Sequence, residues 1–286
     1  MKTYFDCIPC FVRQALDALR FVTDDENVQE HALREALRLI GGLDLKRTPP
    51  EIANDVHAIV RKVSGSDDPY VDAKRKQNET ALAFVPELRE LVQASDDPLE
   101  TALRLAIAGN IVDFGFASVV DEERIRGTIE RAMEYPFAAD SIRRFRHAAM
   151  NAEAILYLAD NAGEVVFDRL LVEQLPRGRV TVAVKGGPFL NDALMADARM
   201  AGLDEVCKVV DNGSRVPGTV LSTCSDEFRQ KFEAADLIIA KGQANYETLS
   251  EMDAPLWFLL QAKCPVIADD IGVETGTMLI LEPRMA

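Results

Sequence analysis

The chain lacks the marks of a secreted, membrane-spanning or nucleic-acid-binding protein. No apolar run in its 286 residues reaches the roughly 18 that a membrane helix needs. The N-terminus, MKTYFDCIPCF, has neither a continuous apolar h-region nor a small-residue cleavage site, so no signal peptide is expected. Basic residues form no dense patch: Arg143-Arg144-Phe145-Arg146 and Arg61-Lys62 read as solvated helix faces. With a formal net charge of −15 the surface repels phosphate backbones and anionic lipid, so neither nucleic acid nor membrane is an expected partner. A small anionic substrate stays compatible, because a metal and one lysine can reverse the potential inside a single pocket.

Cysteine and histidine are also scarce. The five cysteines are an odd set in a chain long enough to need no disulfide staples, and a reducing cytoplasm is the expected setting. Only His31, His57 and His147 are present, and no second Cys-x-x-Cys accompanies Cys7-Ile8-Pro9-Cys10, so a four-ligand zinc site is short of donors. The pair reads better as two half-buried thiols opening the first helix than as a zinc site or a redox couple. There is no internal repeat or low-complexity tract, and a homo-oligomer is left open.

A chain 48% hydrophobic and 28% charged can pack a core. From about residue 9 to 150 apolar residues recur at helical spacing, as in Phe11, Ala15, Leu16, Leu19 and Val22. Beyond it come short β-rich runs: Ala154 to Leu158, Val180 to Val184, Val206 to Val210, Leu237 to Ala240, Leu256 to Leu260 and Val266 to Ala268. Helix-length segments such as Glu164 to Leu175, Asp192 to Ala201 and Ser225 to Ala235 separate several of them. This alternation predicts an α/β fold: a Rossmann-like three-layer α/β/α domain with a mostly parallel sheet over 151–286, preceded by an all-helical domain over 1–150.

Open parallel sheets bind ligands outside the carboxyl ends of their strands. Three predicted ends carry chemistry: Asp160-Asn161-Ala162-Gly163-Glu164, the run from Lys185 through Pro188 to Asp192, and Lys241-Gly242-Gln243-Ala244-Asn245. Two carboxylates and an amide, Asp160, Asn161 and Asp192, are hard oxygen donors that suit Mg²⁺ or Mn²⁺ better than zinc. Gly163 lets backbone approach a ligand, the helix start behind it offers N–H groups to a phosphate, and Lys241 adds a point charge. Taken singly, each is as readily a turn residue, a helix cap or a surface lysine. Convergence of three strand ends is what favours an anion or metal site. Ala162 stands where haloacid-dehalogenase-type phosphatases place a second acid, which disfavours a phosphoaspartyl route and favours metal-assisted attack by water. Glu164 or Asp168, one helical turn apart, would orient or deprotonate that water.

These segments resemble the damage-control phosphatase family, earlier catalogued as a domain of unknown function, in its prokaryotic branch with an N-terminal Cys-x-x-Cys. Seven stretches match in order: Cys7-Ile8-Pro9-Cys10; Asp68-Pro69-Tyr70 with Lys74; Gly109 to Gly115; Asp160 to Glu164; Pro188 to Asp192; Lys241 to Glu247; and Lys263-Cys264-Pro265-Val266. The resemblance implies a helical domain on a Rossmann-like domain and hydrolysis of a small phosphorylated metabolite, a sugar phosphate or a damaged phosphometabolite. It also implies a divalent metal (Mn²⁺, Mg²⁺, Co²⁺ or Ni²⁺) held by Asp160, Asn161 and Asp192. By the same likeness Lys241 and Asn245 would contact phosphate, while Asn110 and Asp113 reach the cleft from the helical part.

Two other readings remain at this level. A carboxyl methyltransferase or another nucleotide-cofactor enzyme is compatible with the fold, although the first strand ends in Asp-Asn-Ala-Gly-Glu and not in a Gly-x-Gly-x-x-Gly turn. A non-catalytic metal- or metabolite-binding protein is the other.

Overall fold

A computed structural model of the chain describes residues 1–111 and 122–282. Among the described residues seven helices precede the first strand: α1 (Cys7–Val22), α2 (Glu26–Gly41), α3 (Pro49–Ser64), α4 (Val71–Ala94), α5 (Pro98–Ile111), α6 (Glu122–Glu134) and α7 (Ala139–Asn151). Then follow β1 (Ile155–Leu158), α8 (Glu164–Val172), β2 (Val180–Val184), α9 (Met195–Met200), β3 (Lys208–Asp211), α10 (Asp226–Glu233), β4 (Leu237–Lys241), α11 (Gly242–Leu249), β5 (Leu256–Gln261), α12 (Pro265–Ile271) and β6 (Met278–Leu281). The helices begin where local chemistry says they should. Asp25 caps α2 by accepting from Asn27 and Val28 N–H, and at the start of α3 Glu51 reaches back to accept from Thr48 N–H (2.9 Å).

The strands form one six-stranded sheet in the order β3-β2-β1-β4-β5-β6, all parallel except β6, which runs antiparallel to β5. A period of two assigns the strand side chains to two faces. Ile155, Tyr157, Leu237 and Ile239 join the apolar cluster shared with α4 to α8, whereas Leu156, Leu158, Ile238 and Ala240 join that of α10, α11 and α12. Helices therefore cover both faces, and strands buried on both sides read as continuous apolar runs. Helices α1, α2 and α3 close a separate cluster into which Phe189, from the β2–α9 connection, inserts. Among the described residues no helix is long and apolar enough to cross a membrane.

One predicted strand is a helix. Val266 to Ala268 lies within α12, which Pro265 opens in its first turn, a position where a missing N–H costs nothing. The sixth strand is instead Met278–Leu281, whose four residues are too few to display a period.

Candidate active site

The chain leaves β1 toward β2 and β3 on one side of the sheet and returns to build β4, β5 and β6 on the other. The crevice outside the carboxyl ends of β1 and β4 is therefore the switch point of the topology. Main-chain hydrogen bonds draw two turns together there. Ala193 N–H donates to Asp160 O (2.9 Å) and Ala162 N–H to Asn191 O (2.8 Å), so Asn161 and Asp192 face each other as an isolated antiparallel bridge. Asp160, Asn161 and Asp192 consequently line one cavity of about 380 Å³, within the range of small-molecule sites. Asn110 of α5 completes its floor, and α1, α3, α11 and the start of α12 build its walls. Lys263 is the one basic side chain among the described lining residues, and its ammonium makes no ion pair among them.

The acidic groups stand in an unfavourable field. Burial, then the nearby Glu164 and Asp192, push the Asp160 carboxyl well above the usual carboxylate range. Asp192 is pushed up to about 6, again chiefly by burial and against the pull of Lys185 and Lys74. Its Oδ2 is buried without a hydrogen-bond partner, and the Lys185 ammonium, committed to Val216 O (2.9 Å) and to Gly218 O, stays 3.9 Å away. An orphaned carboxylate oxygen beside a second crowded carboxylate fits a hard cation, and the donor set of two carboxylates and an amide is of the oxygen type that Mg²⁺ and Mn²⁺ take. No group of three or more His, Cys, Asp or Glu side chains is arranged to hold an ion among the described residues, so the fit rests on the amide as the third donor.

Backbone conformation makes room for this arrangement. Gly242, between β4 and α11, has φ +76°, and a Cβ there would stand 1.9 Å from Asp160 Oδ2. Only glycine both adopts that conformation cheaply and leaves the carboxylate its place.

Beneath the floor lies a polar cluster that does not open to the cavity. The Lys241 ammonium, fully buried, donates to Glu164 Oε1 (2.6 Å), Asp168 Oδ1 (2.5 Å) and Ala106 O (2.9 Å), and Tyr157 Oη donates to Asp168 Oδ1 (2.8 Å). Burial opposes its charge, but Asp168 and Glu164 outweigh that and hold the ammonium above the usual lysine range; burial raises Asp168 to about 7 against Lys241. Three expectations change. Lys241 has no free donor directed at a phosphate. Glu164 is fully buried with both oxygens in use, Oε2 accepting from Asn110 and Asn161 Nδ2 (3.2 Å each), and Asp168 is buried too and outside the cavity lining. Neither carboxylate reaches the cavity as a base. Glu164 braces the amides that hold Asp160, to which Asn110 Nδ2 (3.1 Å) and Asn161 Nδ2 (2.9 Å) also donate, and Asp168 in turn holds the Lys241 ammonium.

Comparison with known proteins gives the family. Residues 3–279 match the family model described as the damage-control phosphatase ARMT1-like domain. The chain belongs to that family. It is 36% identical to an uncharacterised protein of Methanocaldococcus jannaschii, over 97% of this chain and 94% of that one. It is 35% identical to a damage-control phosphatase of Archaeoglobus fulgidus, over 96% of each. The crystal structure of a DUF89 family protein from Pyrococcus horikoshii superposes with a TM-score of 0.88 at 32% identity, covering 99% of this chain and all of that one.

The remaining expected contacts divide. Asn110 does reach the site from α5, where its amide holds Asp160. Asn245 is buried and spends its side chain on structure, donating to Lys241 O (2.8 Å) and accepting from Thr219 Oγ1 (2.8 Å), so it ties the β4 end to the β3–α10 connection and leaves no donor for phosphate. Gly163, at φ 74°, gives its N–H to Asn78 Oδ1 (2.7 Å), so that amide is not offered to a ligand. Asp113 lies outside the described residues. Lys263, Asn78 and Lys185 were given no role from the sequence; Lys263 follows β5, so the rule of inspecting strand ends, applied to that strand, finds it. Cys7 and Cys10 open α1 as expected, and both line the cavity together with Cys264.

Proposed function

We propose that this chain is a divalent-metal-dependent phosphatase that hydrolyses phosphate monoesters of small metabolites, sugar phosphates or damaged phosphometabolites, by attack of water. The observation that carries the reading is the meeting of Asp160, Asn161 and Asp192 around one small-molecule-sized cavity, with Asp192 Oδ2 unpartnered. Those three residues would hold Mn²⁺, Mg²⁺, Co²⁺ or Ni²⁺. The cation, when bound, supplies a Lewis acid for a phosphoryl oxygen and lowers the pKa of water. Lys263, with its ammonium in no ion pair among the described residues, takes the phosphate role in place of Lys241 and neutralises the anionic ester. Asn110 keeps the Asp160 carboxylate oriented, and Glu164 keeps Asn110 and Asn161 in place. The name of the Archaeoglobus relative supports the activity, and the Cys-x-x-Cys start supports a place in the branch that shares it.

The test is release of phosphate from p-nitrophenyl phosphate and from a panel of phosphorylated metabolites, each with Mn²⁺, Mg²⁺, Co²⁺ or Ni²⁺ and after chelation. Turnover should need the metal, and Asp160→Ala or Asp192→Ala should lower it by orders of magnitude while the circular dichroism spectrum stays native. Chelator-resistant turnover, or full activity in either variant, contradicts the proposal.

A further inference from the structure

The two turns that meet at the cavity are tied to each other by main-chain bonds, and both are tied to a third element by one side chain. Asn78 lies on α4, distant in sequence from either turn, and is only 1% exposed. Its Oδ1 accepts from Gly163 N–H (2.7 Å), in the turn that carries Asp160 and Asn161. Its Nδ2 donates to Asp197 Oδ1 (2.7 Å), and Asp197 Oδ2 accepts from Leu194 N–H (2.8 Å), two residues beyond Asp192. The amide oxygen thus holds the first turn directly, the amide nitrogen reaches the second through Asp197 of α9, and Asp197 is itself buried.

We propose that Asn78 is the positioning residue of the site: through its amide, α4 fixes the Asp160-Asn161 turn and the Asp192 turn in the mutual register that a cation requires. The inference rests on the proposed metal-dependent reading. Asn78 lines no part of the cavity and touches no reacting group, so its effect passes through the spacing of the ligands. Groups that orient ligands from behind typically matter about 10- to 100-fold in metal affinity or activity.

The chemistry of the bridge supplies its own rescue. Asn78→Asp keeps an acceptor for Gly163 N–H but sets a carboxylate against Asp197. Adding Asp197→Asn reverses donor and acceptor: the amide at 197 donates back to position 78, and its oxygen still accepts from Leu194 N–H. Mn²⁺ binding is measured directly by calorimetry or electron paramagnetic resonance, well below the melting temperature, on wild type, Asn78→Asp, Asp197→Asn and the double exchange. Turnover of p-nitrophenyl phosphate is followed against Mn²⁺ concentration.

The expected result is a dissociation constant raised about 10- to 100-fold in Asn78→Asp, the same shift in the metal concentration for half-activation, and recovery toward wild type in the double exchange. Should Asn78→Asp not fold, Asn78→Ser, which removes both bonds without adding charge, carries the same expectation for binding. Wild-type affinity in a folded Asn78 variant, even with a lowered melting temperature, overturns the positioning role and leaves the phosphatase reading standing. Absence of Mn²⁺ binding by the wild type overturns both.

Discussion

Gly242→Ala concentrates the geometry of the site into one methyl group. The new Cβ would lie 1.9 Å from Asp160 Oδ2, whereas an unstrained carbon–oxygen contact is about 3.3 Å, so the carboxylate has to retreat by roughly 1.4 Å. A retreat of that size breaks its bonds from Asn110 and Asn161, and a misplacement of about 1 Å at a reacting centre can cost ~100-fold in rate. The positive φ of 76° adds about 1–2 kcal/mol for any residue with a Cβ. A melting temperature lower by about 2–8 °C is expected from that strain in a chain of this size. The assay pairs thermal unfolding with Mn²⁺ affinity and p-nitrophenyl phosphate turnover. The account predicts a folded protein, slightly less stable, whose turnover falls by about two orders of magnitude. An Ala variant with wild-type affinity and rate would show that Asp160 need not occupy its observed position, and the reasoning fails.

Other perturbations separate structural from functional groups. Lys241→Met leaves Glu164 and Asp168 buried without their cation, which should cost about 3–5 kcal/mol in urea unfolding at pH 8; the deficit should shrink at pH 5, below the value of about 7 to which burial raises Asp168, where a proton on that carboxyl replaces the ammonium. Equal stability at pH 8 would contradict the buried-pair account. Lys263→Met should leave stability unchanged, because no ion pair is lost among the described residues, yet raise KM for the ester about 10- to 100-fold, as loss of one charge-assisted bond implies. An unchanged KM would remove Lys263 from the phosphate site. His57, 2% exposed against the Phe189 ring, is held at about 4, mainly by burial and then by Arg61. The folded protein thus excludes a proton that the unfolded chain binds below its value of 6.5, so stability is lost as pH falls from 6.5 to 4, by about 3 kcal/mol from this group. His57→Leu should flatten the urea-midpoint profile over that window by a matching amount, and an unchanged profile would count against it.

The sequence carries the sheet well because strands buried on both faces read as apolar blocks, and it carries Asp160 and Asp192 because strand ends in such sheets face the ligand crevice. The burial of Lys241 is legible in the same sequence. Within β4, Leu237 and Ile239 face α5 and α8, so a period of two places Lys241 on that side, toward Glu164 and Asp168, and away from the crevice. Glu164 and Asp168 do share a helix face, as their spacing predicts, but that face is the buried one. Asn78 was not legible, since a contact between α4 and the turns after β1 and β2 depends on how helices pack and leaves no local pattern. Val266 to Ala268 shows the limit of short apolar runs: helix and strand look alike until Pro265 is weighed as a helix opener.

Most direct is a crystal soaked in Mn²⁺ and measured at the manganese absorption edge. The account predicts one strong anomalous peak per chain, with oxygens of Asp160, Asn161 and Asp192 about 2.0–2.4 Å from it, in the usual range for hard divalent cations. A peak elsewhere, or none at a Mn²⁺ concentration that supports turnover, would contradict the claim that these two turns form a single cation site.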